Sequence, residues 1–193
     1  MLKRYDFSRS GWEDDFLYVY SPVVKECNTF RQDADSIGNA YSEKIKNFEY
    51  ISIVTKKKYK SGVKIKTTCS FDNFGAPLIV FTNEINTDEN SVLRYGLHFE
   101  VVAFELGCNV WHIAHVPDRK ERPTMPALIA KGRFPLAEKE KVEICCEIVG
   151  RTVLTYVNGN RVSVVHADIP ETFHVGITAC EGINHFYELT IEE

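Results

Sequence analysis

From residue 48 onward, strand-like segments follow one another with no amphipathic helix between them, and this limits the fold more than any other feature. GVKIKTTCS at 62–70 sets Val63, Ile65 and Thr67 against Lys64, Lys66 and Thr68, the period-two pattern of a strand with one buried and one wet face. YISIVT at 50–55 is β-branched and aromatic, and APLIVFT at 76–82 is an unbroken apolar run that belongs in the middle of a sheet. VEICCEIV at 142–149, TVLTYVN at 152–158 and RVSVVH at 161–166 follow, parted by Gly150 and by Asn158-Gly159-Asn160. An Asn-Gly pair between two such runs is the strongest short hairpin signal a sequence carries. Residues 173–180 and 185–192 form the last pair, joined by the EGIN turn at 181–184. About ten to twelve strands without a helix imply two packed antiparallel sheets. The expectation is an all-β, single-domain antiparallel β-sandwich over residues 1–193, with 1–47 an N-terminal arm and first strands packed on the same body.

The length of 193 residues suits one sandwich better than two domains. In the arm, FLYVY at 16–20 reads as a strand closed by Ser21-Pro22, and VVKECNTFR at 23–31 as a second short one. Residues 33–47 are polar, with Gly38-Asn39 as a turn, and Trp12 and Phe16 anchor the arm to the body. Residues 117–131, with Pro117, Pro123 and Pro126 among charges, read as a long surface loop.

A net charge of −4 and a pI near 5.9 argue against nucleic-acid binding. The one basic run, KKKYK at 56–60, suits a solvated strand edge. No apolar run follows the first residues, and no stretch approaches the ~18 apolar residues of a membrane span, so no membrane partner and a cytoplasmic location are expected. The six cysteines include no C-x-x-C, and no Cys/His spacing resembles a zinc site. Asp88-Glu89-Asn90 is the sole candidate calcium loop, and a solvated loop explains it. No Gly-rich loop opens a helix and no Gly-x-Ser-x-Gly occurs. Neither cofactor nor metal is expected, and self-association into a homo-oligomer is left open.

Candidate chemistry gathers in LRYGLHFEVVAFELGCNVWHI at 93–113, read as a strand, a turn at 106–109 and a returning strand. Two-residue spacing puts Arg94, His98 and Glu100 on one face and Tyr95, Leu97, Phe99, Val101 and Ala103 on a core face. Within one residue of register, Trp111 then falls near Phe104 and His115 near Glu100. Carboxylates and imidazoles accept and donate hydrogen bonds to sugar hydroxyls, and an indole offers an apolar plane to a pyranose. Arg94, Trp111, His112 and His115 are therefore candidate substrate-binding residues, with Glu181 and Asn184 reaching the rim from the last turn. Cross-strand charge pairing capped by a packed indole accounts for the same residues without a ligand. His166, His174 and His185 read as structural or surface residues.

Four segments resemble the concanavalin A-like lectin/glucanase jelly rolls over residues 48–193: GVKIKTTCSF, LHFEVVAFELGCNVWHI, VEICCEIVGRTVLTYVNGNRV and FHVGITACEGINHFYELTIEE. The resemblance implies a concave sheet that binds carbohydrate in many relatives, some of them lectins or binding modules and some glycoside hydrolases of family-16 or 3-keto-glycoside type. Family-16 enzymes carry Glu-x-Asp-x-Glu, or Glu-x-Asp-x-x-Glu when bulged. Glu100 and Glu105 match the outer positions of the bulged form, which implies a base or nucleophile and an acid, with His98 as another catalytic partner. The middle position, however, is Val102. Residues five apart in a regular strand also face opposite ways and lie roughly 16 Å apart. Glycosidase pairs need about 5–5.5 Å (retaining) or 6.5–9.5 Å (inverting), so only a bulge would unite these two. The sequence thus leads to a carbohydrate- or glycoside-binding jelly roll, with hydrolysis of a small glycoside as one extension and a non-catalytic assembly subunit as the alternative.

Overall fold

The computed structural model describes residues 1–21, 31–32, 50–87, 91, 93–116, 124–179 and 182–193. Among the described residues, seventeen strands, four of them only two or three residues long, build two large sheets and a small hairpin. The first sheet contains β1 (Leu2–Asp6), β3 (Arg31–Gln32), β6 (Val63–Asp72), β13 (Val142–Val149), β14 (Thr152–Val157), β15 (Asn160–Val165) and β17 (Ile183–Glu192). It runs β1-β17-β6-β13-β14-β15, with β3 beside β17. The second contains β2 (Phe16–Ser21), β4 (Tyr50–Thr55), β5 (Tyr59–Lys60), β7 (Pro77–Thr82), β10 (His98–Phe104), β11 (Gly107–His115), β12 (Thr124–Arg133) and β16 (Thr172–Ala179). Its order is β12-β11-β10-β7-β16-β4-β2, with β5 beside β16. The small hairpin is β8 (Ile85–Thr87) with β9 (Leu93–Tyr95). Among the described residues the only helical segment is a 3-10 turn at Glu13–Asp15.

Period-two alternation does the sorting. In β6 the residues Val63, Ile65, Thr67 and Cys69 are buried, and they pack with the inward residues of β13, β10 and β16 in one core between the sheets. β7, apolar up to Thr82, is buried at every position because it lies centrally, between β10 and β16, with packing on both faces. Phe81 and Phe99 stack at the heart of the core, with ring centroids 5.0 Å apart and planes 5° from parallel. Asn158 and Gly159 take φ of +46° and +81° in the two-residue turn that pairs Val157 with Asn160, as that dipeptide requires.

Two expectations change, and the arm gains a strand that the sequence did not place: β1 pairs along β17, from Leu2 with Glu192 to Asp6 with Glu188. Residues 124–133 are not loop but the edge strand β12, in which Pro126 sits opposite Ile113. Proline is tolerated there because an edge strand leaves one side of its backbone unpaired. The hairpin turn is shorter than 106–109. Phe104 pairs with Gly107, so only Glu105 and Leu106 turn. Gly107, at φ +131°, has no room for a side chain, since a Cβ there would lie 2.2 Å from the Gly132 carbonyl oxygen. The expected strand over 23–31 and the turn at Gly38-Asn39 lie outside the described residues, as do Asp88, Glu89, Asn90, Pro117 and Pro123.

Candidate functional site

The turn at Glu105-Leu106 sets every register along β10 and β11. It places Glu100 opposite Trp111, Phe99 opposite His112 and His98 opposite Ile113, and not Trp111 beside Phe104 or His115 beside Glu100. On the other side of β10, Glu100 lies opposite Val80 and His98 opposite Thr82. Phe99, Val101 and Ala103 face the sandwich core. His98, Glu100, Val102 and Phe104 therefore face outward, on the sheet surface that the jelly-roll resemblance assigns to sugars.

That outward face is partly roofed. Val19, Val54, Leu78, Val80 and Val102 form a second apolar cluster, and Tyr95, Ile85 and Leu93 of the β8–β9 hairpin pack on it. The expected single strand through residues 94–100 is thus two strands, because the chain breaks its extension between Tyr95 and His98. Arg94 sits on β9 rather than on a face shared with Glu100, and Tyr95 packs outside, not in the core between the sheets. The base of the roof is tied down where Thr82 Oγ1 donates to the carbonyl of Glu84 at 2.9 Å, and where the Gly96 amide donates to the Glu84 carbonyl at 3.0 Å.

Beneath the roof, His98 is 1% exposed and Glu100 6%. His98 Nδ1 lies 2.9 Å from the Gly96 carbonyl oxygen and carries the proton of that hydrogen bond. Its Nε2 then faces Glu100 Oε1 at 3.4 Å, an attractive contact when one proton lies between them. The Tyr95 ring stands 4.7 Å from the His98 ring, and burial holds its phenol far above the ordinary value, so it stays protonated. Tyr95 and its neighbour Ser52, both missed by the sequence reading, are buried hydroxyls on this face. Trp111, beside Glu100, is half-buried and keeps part of its indole in solvent. Opposite it on β12 stands the exposed Leu128, and Asn109, Lys131 and Arg133 flank the pair. Arg133 lies over the Phe104 ring at 5.4 Å and donates to Asn109 Oδ1 at 3.2 Å.

The remaining candidates go elsewhere. Glu105 is exposed at the tip of the turn, five positions along a strand whose pairing with β7 and β11 is regular. No bulge brings it to Glu100, so this pair has neither glycosidase spacing. His115 ends β11 opposite Thr124, beyond the reach of β10's pairing. Asn184 is fully buried in β17 of the other sheet rather than at a rim, and Glu181 lies outside the described residues.

His112, next in sequence to Trp111, faces the other way. Its ring lies 4.9 Å from Phe99 and 4.4 Å from His166, at the rim where β11 meets the end of β15. Burial and the neighbouring His166 lower its pKa below the ordinary histidine value. The four described cysteines are free and buried, and burial pushes Cys108 up to about 12, so they offer no ready nucleophile.

Two mostly antiparallel sheets packed face to face make this chain a jelly-roll β-sandwich. Solved structures share it across their full length. A protein of unknown function with galectin-like fold from Bacillus subtilis matches at TM-score 0.60 and 8% identity, covering 100% of this chain and 98% of that one. A native glycosidic hydrolase matches at TM-score 0.59 and 12% identity, covering 100% and 95%. A LamA variant from Zobellia galactanivorans, crystallised with laminaritriose and laminaritetraose, matches at TM-score 0.58 and 7% identity, covering 99% and 98%. Identities this low speak for fold alone. Neither the known protein families nor the curated proteins contain a match to the sequence.

Proposed function

We propose that this chain is a carbohydrate-recognising jelly roll whose sugar site lies on the outer face of the second sheet, over β10, β11 and β12. The partly buried Trp111, set beside Glu100 on that face, carries the reading. An indole plane with an acceptor at its edge suits a pyranose, whose axial C–H bonds stack on the ring while its hydroxyls donate to the carboxylate. Leu128 extends the apolar plane, and Asn109, Lys131 and Arg133 supply the polar rim. A fold shared with a glycosidic hydrolase and a laminari-oligosaccharide complex adds support. The separation of Glu100 from Glu105 favours binding over hydrolysis by a carboxylate pair.

Tryptophan emission tests the proposal, because Trp12 is buried at 4% exposure and leaves Trp111 as the responsive indole. A panel of mono-, di- and β-linked oligosaccharides is titrated while reducing-end release is followed. The expected result is a saturable emission change, with an affinity that calorimetry, which needs no indole reporter, finds weakened at least tenfold in Trp111→Ala. No response to any sugar, or an unchanged affinity in Trp111→Ala, overturns the site. Turnover that Glu100→Gln removes while binding survives adds hydrolysis to recognition. The assembly-subunit reading draws on the exposed edge strand β12, with Met125 and Leu128 in solvent, and instead predicts concentration-dependent sedimentation without a sugar response.

A further inference from the structure

We infer that His112, His166 and Asp168 form a binding site for a divalent first-row transition ion at the rim between the two sheets, separate from the sugar face. One ligand atom from each residue lies within 4.8 Å of the others. His112 Nε2 and Asp168 Oδ2 are already 3.3 Å apart. Tetrahedral zinc with bonds of about 2.0–2.1 Å sets its ligand atoms about 3.3 Å from one another, so this pair spans one edge of such a site. Bringing in the third atom requires up to about 1.5 Å of side-chain movement, which His166 and Asp168 can make because both reach solvent.

The second observation is an orphan. His112 is 8% exposed, and its Nε2 is buried with no hydrogen-bond partner. Asp168 comes within ion-pair distance of that nitrogen but not in hydrogen-bonding geometry. A buried imidazole nitrogen without a partner costs free energy unless something fills its lone-pair direction. A metal ion placed between Nε2 and Oδ2 does so.

The frame is rigid on one side and adjustable on the other. His112 is fixed by β11 and by the Phe99 ring. His166 leaves the end of β15 with its amide donating to the Arg151 carbonyl at 3.0 Å, and its ring stands edge-on to Phe99 at 5.4 Å. The Asp168 amide donates to His166 Nδ1 at 3.2 Å, so binding at that ring exchanges this one bond on an open turn for a metal–nitrogen bond. Two imidazoles and one carboxylate select zinc, cobalt, nickel, copper or iron over magnesium and calcium, which take oxygen ligands. With three protein ligands and an exposed side, a fourth position is left to water. Because β11 and β15 belong to different sheets, the ion would also clip the sandwich together at this rim.

The test uses the full chain, freed of metal with chelator and titrated with zinc chloride by calorimetry and with cobalt(II) by absorption. Expected are one ion per chain at micromolar affinity, a rise in Tm with zinc, and a cobalt spectrum without thiolate charge transfer. His166→Ala and Asp168→Asn sit on an exposed turn and keep the fold, checked by circular dichroism. Each should weaken binding at least tenfold and abolish the Tm shift. No saturable binding up to millimolar zinc overturns the inference. So does binding that both variants leave unchanged, or a cobalt spectrum dominated by thiolate.

Discussion

His98 and His112 stand on facing strands of one hairpin, yet they live in opposite circumstances. His98 is sealed beneath the β8–β9 hairpin, with one ring nitrogen on the Gly96 carbonyl and the other facing Glu100. His112 has its ring body buried, but its Nε2 is left without a hydrogen bond at a rim, where an exposed aspartate and a second imidazole can move toward it. A polar group whose partners are supplied by its own chain is part of the scaffold. One whose partners are incomplete and mobile is where a ligand can act. The alternation of a strand turns one dense patch of sequence toward two opposite faces, with a single phenyl ring, Phe99, as the wall behind His112 and His166 at the rim.

That wall gives the largest expected effect. Phe99→Ala removes a fully buried ring that stacks on Phe81 and backs both His112 and His166. A loss of about 3–5 kcal/mol is expected, read as a lower urea midpoint at unchanged slope. Zinc affinity should fall with it, and an unchanged zinc affinity would remove Phe99 from the frame of the rim site. Next come paired substitutions on the sealed side. Glu100→Ala leaves the buried His98 Nε2 facing nothing and should cost about 1–3 kcal/mol, whereas Glu100→Gln supplies an amide donor and should cost less than about 1 kcal/mol. On the open side, Asp168→Asn should stay within about 0.5 kcal/mol without metal, because its carboxylate is exposed. Urea denaturation of the three variants reads the contrast directly. Equal costs for Glu100→Ala and Asp168→Asn would erase the distinction between sealed and open.

How much of this was legible in the sequence follows from the range of the interactions. The sandwich was legible because period-two alternation is local: β6, β7, β13, β14 and β15 fall where their patterns put them. Asn158-Gly159 fixed its turn for the same reason. The neighbourhood of Trp111 was misplaced because a turn of two residues, not four, shifts every cross-strand partner, and the close approach of Gly107 to Gly132 belongs to a third strand that the hairpin sequence does not show. Tyr95 was put on the core face because nothing in RYGLH announces that the chain ends one strand and begins another across Gly96. β12 was missed because Pro126 and the prolines before it read as loop, while its edge position is a property of the sheet. The adjacency of Trp111 and His112 did hold the signal that they face opposite ways. The partners of His112 did not show, since His166 and Asp168 come from the other sheet, and only tertiary packing unites them.

The smallest effect concerns protons at the open rim. Desolvation, then the neighbouring His166, holds the folded-state pKa of His112 below 6.5, with Asp168 pulling the other way. His174 is also lowered, first by burial, although its hydrogen bond to the Thr55 carbonyl opposes this. For a base depressed by folding, the unfolded chain takes up protons first. Stability is therefore fully present above about pH 6.5 and falls as the pH drops through the unfolded value, levelling off below the folded one. The urea midpoint of metal-free protein should decline between about pH 7.5 and 5. In His112→Gln that decline should be shallower, with the His174 share remaining. Added zinc should steepen the wild-type decline, because protons and metal compete for the same nitrogen, and should leave His112→Gln unaffected. An identical pH slope in wild type and variant, with or without zinc, would place His112 in solvent-like surroundings and would remove the difference between the two histidines on which the rim site depends.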